Sequence, residues 1–401
     1  MPQHSERHSE RSGTNRFAGR LSTGFAVGSR LIAAVLAVAI VLGSGYAWAT
    51  YRNFTANVTH VDAIDNSTTG AKRADLDGKA QNILLVGDDH RPANASPALL
   101  AELSTQLDGG GTNTDTMMVM HVPADGSRAT LVSFPRDSWV NVPGHGMNKL
   151  NAAFSLGSRN GGGDKGGSRL LVDTIRSLTG LWIDHFVRVS LVGFYQIAKV
   201  LGPIPICLKH AAVDPFSGTN LPPGHSTLDA KQALSFVRQR HNLDGGDLGR
   251  EIRQQYFLSQ AFSKIASART LLNPLKLQNL LAAVSSNLET DYTGDGLLQF
   301  ARQMENLQAG NLRSATIPTT GTPTIYVDGT PVSIVEVNRP AIPAFIKSIV
   351  GTGTPAVHPA SPTATSSSAP STPSPRPATS PTPSTAPASA PRSYSSSDCI
   401  N

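Results

Sequence analysis

The sequence predicts the α/β class: a three-layer α-β-α domain around a mixed central β-sheet, preceded by one transmembrane helix and followed by a disordered tail. Three observations carry this. Between residues 80 and 350, short apolar runs alternate with amphipathic stretches, the pattern of a sheet covered by helices. The run Leu31 to Tyr51 holds no charged residue, and about 20 apolar residues are enough to span a bilayer. From residue 356 onward the chain is almost wholly Pro, Ser, Thr and Ala, a composition that cannot bury enough apolar surface to offset chain entropy.

The elements follow in order. Asn82 to Gly87 is an apolar run ending in Gly, read as a buried strand. Met117–Val122 and Ala129–Phe134 read as strands joined by a hairpin turn at Ala124-Asp125-Gly126-Ser127. Ser168–Thr179 reads as an amphipathic helix closed by Gly180. Asp184–Ser190 is a strand, and Val192–Leu201 a helix followed by Gly202. Leu228–Val237 and the longer Leu248–Ile265 are further helices. The glycine-rich run from Gly161 to Ser168 looks like a phosphate loop but lacks the Gly-Lys-Ser/Thr order. It is expected to be a flexible surface loop.

Arg7, Arg11, Arg16, Arg20 and Arg30 precede the apolar run, against Glu6 and Glu10. The positive-inside rule places that arm in the cytoplasm and the rest outside. The expected organisation is therefore a cytoplasmic basic tail (1–30), a signal anchor (31–51), a polar stalk (52–79), an extracellular catalytic domain (80–350) and a disordered tail (351–401). Ala47-Trp48-Ala49 resembles a small-x-small cleavage site. The competing reading is thus a cleaved signal peptide, but the apolar run exceeds the roughly 7–15 residues of its usual core. Five arginines of the +6 net charge lie in the basic tail, and no basic helix or zinc spacing points to nucleic acid. No Gly-x-Ser-x-Gly, His-Glu-x-x-His or Cys-x-x-Cys occurs, which argues against common hydrolases and zinc sites. Cys207 and Cys399 are expected as a buried thiol and a free tail thiol rather than a disulfide.

Charged residues make up only 15% of the chain, so four clusters of arginine and aspartate need a reason. They are Gly87-Asp88-Asp89-His90-Arg91, Thr114-Asp115-Thr116, Phe134-Pro135-Arg136-Asp137-Ser138, and Arg238-Gln239-Arg240 through Asp247 to Gln254. Guanidinium forks suit phosphate oxygens, and aspartates among them suit a hard divalent cation. Asp89 and Asp115, at strand ends, are the candidate pair for such a cation. Arg250, Arg253, Gln254 and Phe257 share one helix face at spacings of three and four. Asp247 is placed to cap that helix, and cations in its first turn are tolerated best where an anion binds. Arg238 and Arg240 face one site only if the chain there is extended.

Seven motifs, in order over about 82–260, together resemble the LytR-CpsA-Psr family of cell-wall ligases, in its actinobacterial form. They are Asn82 to Asp89, Thr114-Asp115-Thr116, Pro135-Arg136-Asp137-Ser138, Asn148-Lys149-Leu150-Asn151-Ala152-Ala153, Asp184-His185-Phe186, Arg238-Gln239-Arg240-His241 and Asp247 to Gln254. The resemblance implies transfer of a glycopolymer from a polyprenyl-pyrophosphate carrier to peptidoglycan, leaving a phosphodiester and polyprenyl phosphate. It implies Mg²⁺, with Mn²⁺ as substitute, at Asp89 and Asp115. It places pyrophosphate contacts at Arg136, Arg238, Arg240, Arg250 and Gln254, and more loosely at Arg91 and Lys149. The catalytic set it implies is Asp115, Arg136, Arg238, Arg240 and Asp247. Asp115, Asp137 and Asp247 all remain open as the base. A deep prenyl pocket is implied too, with Val189, Leu191, Phe194, Ile197 and Leu201 expected among its walls, positions that core packing explains equally well. Membrane lipid and peptidoglycan are the implied partners. Hydrolysis of the same lipid pyrophosphates is the rival activity, and an envelope-linked regulator is the third reading. His90 stands between Asp89 and Arg91, where some members put arginine directly after the aspartate. The segment Pro92–Asn113 is long and reads as a lid.

Overall fold

The computed structural model describes residues 37, 41, 43–64, 79–89, 96–105, 114–267, 273–292, 294–304, 307, 309–351, 391–395 and 398–401. The chain divides into two units, Met1–Ala56 and Asn57–Asn401. Described residues of the first are helical within α1 (43–57). Most of the expected span at 31–42 lies outside the described residues, and among those described no helix is long and apolar enough to cross a membrane.

The second unit is built on an eight-stranded sheet. Its strands are β1 (Thr59–His60), β2 (Gln81–Asp88), β3 (Thr114–Val122), β4 (Ala129–Ser133), β7 (His185–Ser190), β12 (Leu288–Thr290), β13 (Leu312–Thr316) and β18 (Arg392–Ser393), in the order β1-β12-β7-β2-β3-β4-β13-β18. The sheet is mixed: β2 pairs parallel with β7 and antiparallel with β3, and β4 pairs parallel with β13. Side chains alternate across it. Leu84 and Val86 of β2 join the core against α3 (Ala152–Ser158), α4 (Gly163–Thr179) and α10 (Ile342–Val350). Ile83 and Leu85 face the opposite side, where α7 (Asp247–Ile265) and α9 (Gly294–Gln303) bring Leu258 and Phe300. Helices α5 (Leu191–Leu201) and α6 (Ala230–Arg238) complete that layer, packing with α7 around Phe236 and Tyr256. Helix α8 (Pro274–Ser285) packs on α5, and among the described residues five small antiparallel pairs complete the unit: β5 (Trp139–Val142) with β6 (Gly146–Lys149), β8 (Ile204–Leu208) with β11 (Gly224–Leu228), the hairpin β9 (Ala212–Asp214) with β10 (Thr219–Leu221), β14 (Thr319–Gly321) with β17 (Glu336–Val337), and β15 (Thr324–Val327) with β16 (Thr330–Ser333).

Four expectations change. The glycine-rich run is not a loop: α4 begins at Gly163 and packs on α3. A Cβ on Gly157 or Gly166 would lie 2.3 Å from the other's carbonyl oxygen, so the missing side chains let two backbones touch. The stalk is not polar throughout, because Val61, Ala63 and Ile64 are buried and β1 extends the sheet edge. The C-terminal tail, mostly outside the described residues, ends in an ordered strap in which β18 pairs with β13. The two cysteines form a disulfide, Cys207–Cys399, across 192 residues. Tertiary contact brings the strap to β8: the Ile400 amide bonds the Cys207 carbonyl, and the Lys209 amide bonds the Ile400 carbonyl.

Candidate active site

Between the sheet and helices α5, α6 and α7 lies a cavity of about 430 Å³. Its walls are apolar: Leu85 and Met118 from the sheet, then Phe194, Leu201, Leu234, Phe257 and Ile265 from the helices. Val189, Leu191, Phe194, Ile197 and Leu201 all line it. At one end stand Asp89, Asp115, Arg238, Arg240, Arg250 and Gln254. They converge because β2 ends at Asp88, β3 begins at Thr114, α6 ends at Arg238 and α7 begins at Asp247.

One ion network spans that end. The Arg136 guanidinium donates to Asp115 Oδ1 at 2.7 Å, and its Nε lies 3.3 Å from Asp247. Arg240 Nη2 donates to Asp115 Oδ2 at 3.2 Å, with its Nε 3.6 Å from Asp247. Arg250 donates to Asp247 at 3.0 Å and to the Asp115 carbonyl at 3.4 Å. Lys149 bonds Asp137 at 3.0 Å, and Asp137 lies 3.7 Å from Arg136. Arg238 donates to the main-chain oxygens of Leu103 and Ser104, just past α2 (Pro97–Glu102), and lies 4.0 Å from Asp89. Burial pushes the Asp115 carboxyl up, but Arg136, Arg240 and Arg250 outweigh it and hold it below the usual range. A region with so many fixed cations, opening on an apolar cavity, suits a polyanionic head on a hydrocarbon tail.

The LytR_cpsA_psr family profile matches residues 47–345. The chain belongs to the LytR-CpsA-Psr family. It is 34% identical over 369 residues to the cell wall biosynthesis protein LcpA of Corynebacterium glutamicum, covering 85% of this chain and 69% of that protein. It is 33% identical over 218 residues to the polyisoprenyl-teichoic acid–peptidoglycan teichoic acid transferase TagU of Oceanobacillus iheyensis, covering 54% of this chain and 61% of that protein. The structure of Bacillus subtilis TagV aligns with a TM-score of 0.52 at 20% identity, over 68% of this chain and 98% of that one, a likeness of fold.

In this LytR-CpsA-Psr chain, Asp115, Arg136, Lys149, Arg240, Asp247 and Arg250 join one network, Asp89 and Arg238 flank it, and Gln254 lines the cavity. Arg91 lies outside the described residues, as does much of the Pro92–Asn113 segment. Two readings of α7 shift. Gly246, at φ 55, is the N-cap residue and makes no side-chain cap bond; Asp247 sits in the first turn, and its carboxylate serves the arginines. Arg253 leaves the network: it donates to the Asn401 main-chain oxygen and to Gln239, and stacks over the Phe236 ring at 5.0 Å. Burial lowers its pKa to about 10. Arg253 is three positions on from Arg250 and only about 60° round the helix, so it is the contacts to Asn401, Gln239 and Phe236, not the helix period, that take its side chain to the strap.

Sequence reasoning missed several groups. Arg188 binds Asp88 at 3.4 Å, Asp164 at 3.1 Å and Glu289 at 2.8 Å, over the Phe154 ring. Strand alternation alone would have separated Asp88 from its neighbour Asp89. Asp214 is 1% exposed and accepts from the Arg240 and His241 amides. Glu251 was also missed. It is 5% exposed, and among the described residues neither of its side-chain oxygens finds a partner. Burial, then Asp247 and Asp137 against an opposing Arg250, push its carboxyl well above the usual range, which favours the protonated form.

That state has a testable consequence. Below the unfolded pKa both states keep the Glu251 proton; as pH rises toward the folded pKa only the unfolded chain releases it, and stability falls. Glu251→Gln should therefore raise the urea midpoint at pH 8 and leave it unchanged at pH 4. An equal midpoint at pH 8, or a loss there, would refute the neutral acid.

Proposed function

We propose that this chain is a phosphotransferase that moves a glycopolymer from a polyprenyl-pyrophosphate carrier onto peptidoglycan, forming a phosphodiester and releasing polyprenyl phosphate. The observation that carries the reading is the junction of an apolar cavity with an arginine–aspartate mouth. Only an amphiphile, hydrocarbon at one end and polyanion at the other, satisfies both halves. The names of the relatives, cell wall biosynthesis and teichoic acid transfer to peptidoglycan, support the reaction class.

The prenyl chain lies among Phe194, Leu201, Phe257 and Ile265. Arg238 and Arg240 meet the pyrophosphate from the end of α6, Arg250 from the first turn of α7, and Arg136 from the far side of Asp115. Asp115 and Asp247 hold these guanidinium groups in place beforehand, so little reorganisation is needed when the anion arrives. The acceptor hydroxyl oxygen attacks the sugar-side phosphorus, that phosphorus–oxygen bond to prenyl phosphate breaks, and the arginines offset the leaving charge. Asp115, Asp137 and Asp247 are the carboxylates placed near the mouth to take the hydroxyl proton.

Asp89 and Asp115 would hold Mg²⁺, or Mn²⁺ in its place: both are hard oxygen donors at the mouth, and such an ion takes one or two carboxylates and completes its shell from phosphate and water. When bound it neutralises pyrophosphate charge. The basic segment 1–30 and the apolar run 31–51 support anchoring in the cell membrane with a cytoplasmic N-terminus and the domain outside. The test is product analysis with full-length protein, lipid-linked glycopolymer and peptidoglycan. Wall-linked polymer and polyprenyl phosphate should appear in equal amounts; free glycopolymer 1-phosphate with polyprenyl phosphate, and no wall-linked product, would replace transfer by hydrolysis.

A further inference from the structure

Phe216 is 76% exposed, at the tip of the β9–β10 hairpin. Its ring lies 4.3 Å from that of His241, centroid to centroid and tilted by 38°. The backing is rigid. Asp214, 1% exposed, accepts the Phe216 amide at 3.0 Å with one oxygen, and the Arg240 and His241 amides at 3.2 and 3.4 Å with the other. Its carboxylate also lies 3.4 Å from the His241 ring. The Gly218 amide bonds the Asp214 carbonyl at 2.9 Å, and Ser217 bonds Thr219 at 2.8 Å, closing the turn. A Cβ on Gly218 would lie 3.1 Å from Ser104 Oγ, and the Ser104 carbonyl also accepts from Arg238. The Phe216 main chain is thus tied through one buried carboxylate to the main chain of Arg240 and His241.

One oxygen of this buried carboxylate fixes the Phe216 amide and the other the Arg240 and His241 amides, so the hairpin tip and the Arg240 backbone share one rigid anchor, a preorganised surface. A neutral aromatic face anchored to the same carboxylate as the Arg240 backbone matches an uncharged ring that follows a phosphate. The axial C–H groups of a pyranose supply such an apolar face, and flat contact with an aromatic ring gains dispersion without desolvating the hydroxyls at its rim.

We propose that Phe216, backed by His241, is a stacking platform for a pyranose ring of the substrate. This rests on the proposed transferase reading, in which prenyl chain and pyrophosphate fill the cavity and its mouth and the first sugar emerges beside Arg240. The same chemistry is present in the donor glycopolymer and in the peptidoglycan acceptor, and kinetics separates them. In full-length Phe216→Ala, the KM for one of the two substrates should rise about tenfold with kcat little changed, and Phe216→Trp should restore it. A raised donor KM assigns the platform to the glycopolymer, a raised acceptor KM to the peptidoglycan. The Trp variant adds a direct readout: its fluorescence should shift on binding the sugar-bearing partner and stay constant with sugar-free polyprenyl pyrophosphate. Unchanged KM for both substrates in Phe216→Ala overturns the platform. Failure of the wild-type protein to bind sugar-free polyprenyl pyrophosphate overturns the transferase reading instead, and the platform with it.

Discussion

Arg240→Ala should lower glycopolymer transfer by about 100- to 1,000-fold, the usual cost of removing one preorganised charge donor, while the domain stays folded. Arg240 lies on the irregular segment after α6, and its side chain is 37% exposed. Its ion pairs with Asp115 and Asp247 are shared with Arg136 and Arg250, so neither carboxylate is left alone. The stability change should therefore stay within about 1 kcal/mol. Arg240→Lys should not restore transfer, because a point charge replaces a planar fork that reaches two carboxylates at once. Arg250→Ala makes the useful contrast. Arg250 is 2% exposed and donates to Asp247 and to the Asp115 carbonyl. Asp247 keeps Arg136 and Arg240, but the part-buried bond to the Asp115 carbonyl is lost, so the substitution should cost activity and about 1–3 kcal/mol of stability. Transfer and thermal melting on the same preparations check both; full activity in Arg240→Ala would remove this arginine from the mechanism.

Reduction of Cys207–Cys399, or Cys399→Ser, should destabilise the domain by about 5 kcal/mol. The bridge closes 192 residues, and loop-closure entropy in the unfolded chain grows with loop length. It also anchors a strap that makes its own contacts. Tyr256 donates to the Asp398 carbonyl, Gln260 to the Ser395 carbonyl and Arg253 to Asn401, all from α7. That helix carries Asp247, Arg250 and Gln254, so activity should fall as the strap is released. Melting temperature and transfer, before and after reduction with thiols counted by mass, give the result. An unchanged melting temperature after complete reduction would show the strap to be held by its other contacts alone.

Much of the fold was legible because it depends on local periodicity. The strands at 82–87, 129–134 and 184–190 and the helices at 192–201 and 248–265 lie within a few residues of β2, β4, β7, α5 and α7. The arginine–aspartate clusters were legible as a site because charge is scarce in this chain and these motifs fall at strand ends and helix starts. Three features resisted for a common reason. Arg253 reads as a neighbour of Arg250, yet Asn401 and Gln239 draw it away. Gly166 reads as loop, yet its backbone packs on that of Gly157 in α3. Cys399 reads as a tail thiol, yet its partner lies 192 residues earlier. Each depends on a group distant in sequence, which no local pattern encodes.

The sequence by itself determined the α/β class, the order of the main strands and helices, the family motifs and the residue types that suit a pyrophosphate. Those follow from side-chain period, turn chemistry and charge, which act over a few residues. Tertiary structure decided which arginines share Asp115 and Asp247, that the Glu251 carboxyl is buried and its pKa raised, that Phe216 and Arg240 are anchored on one buried carboxylate, and that the C-terminal strap packs on α7. These depend on distance and burial, because the strength of a charge and the cost of a buried acid are set by what else the fold brings within a few ångströms.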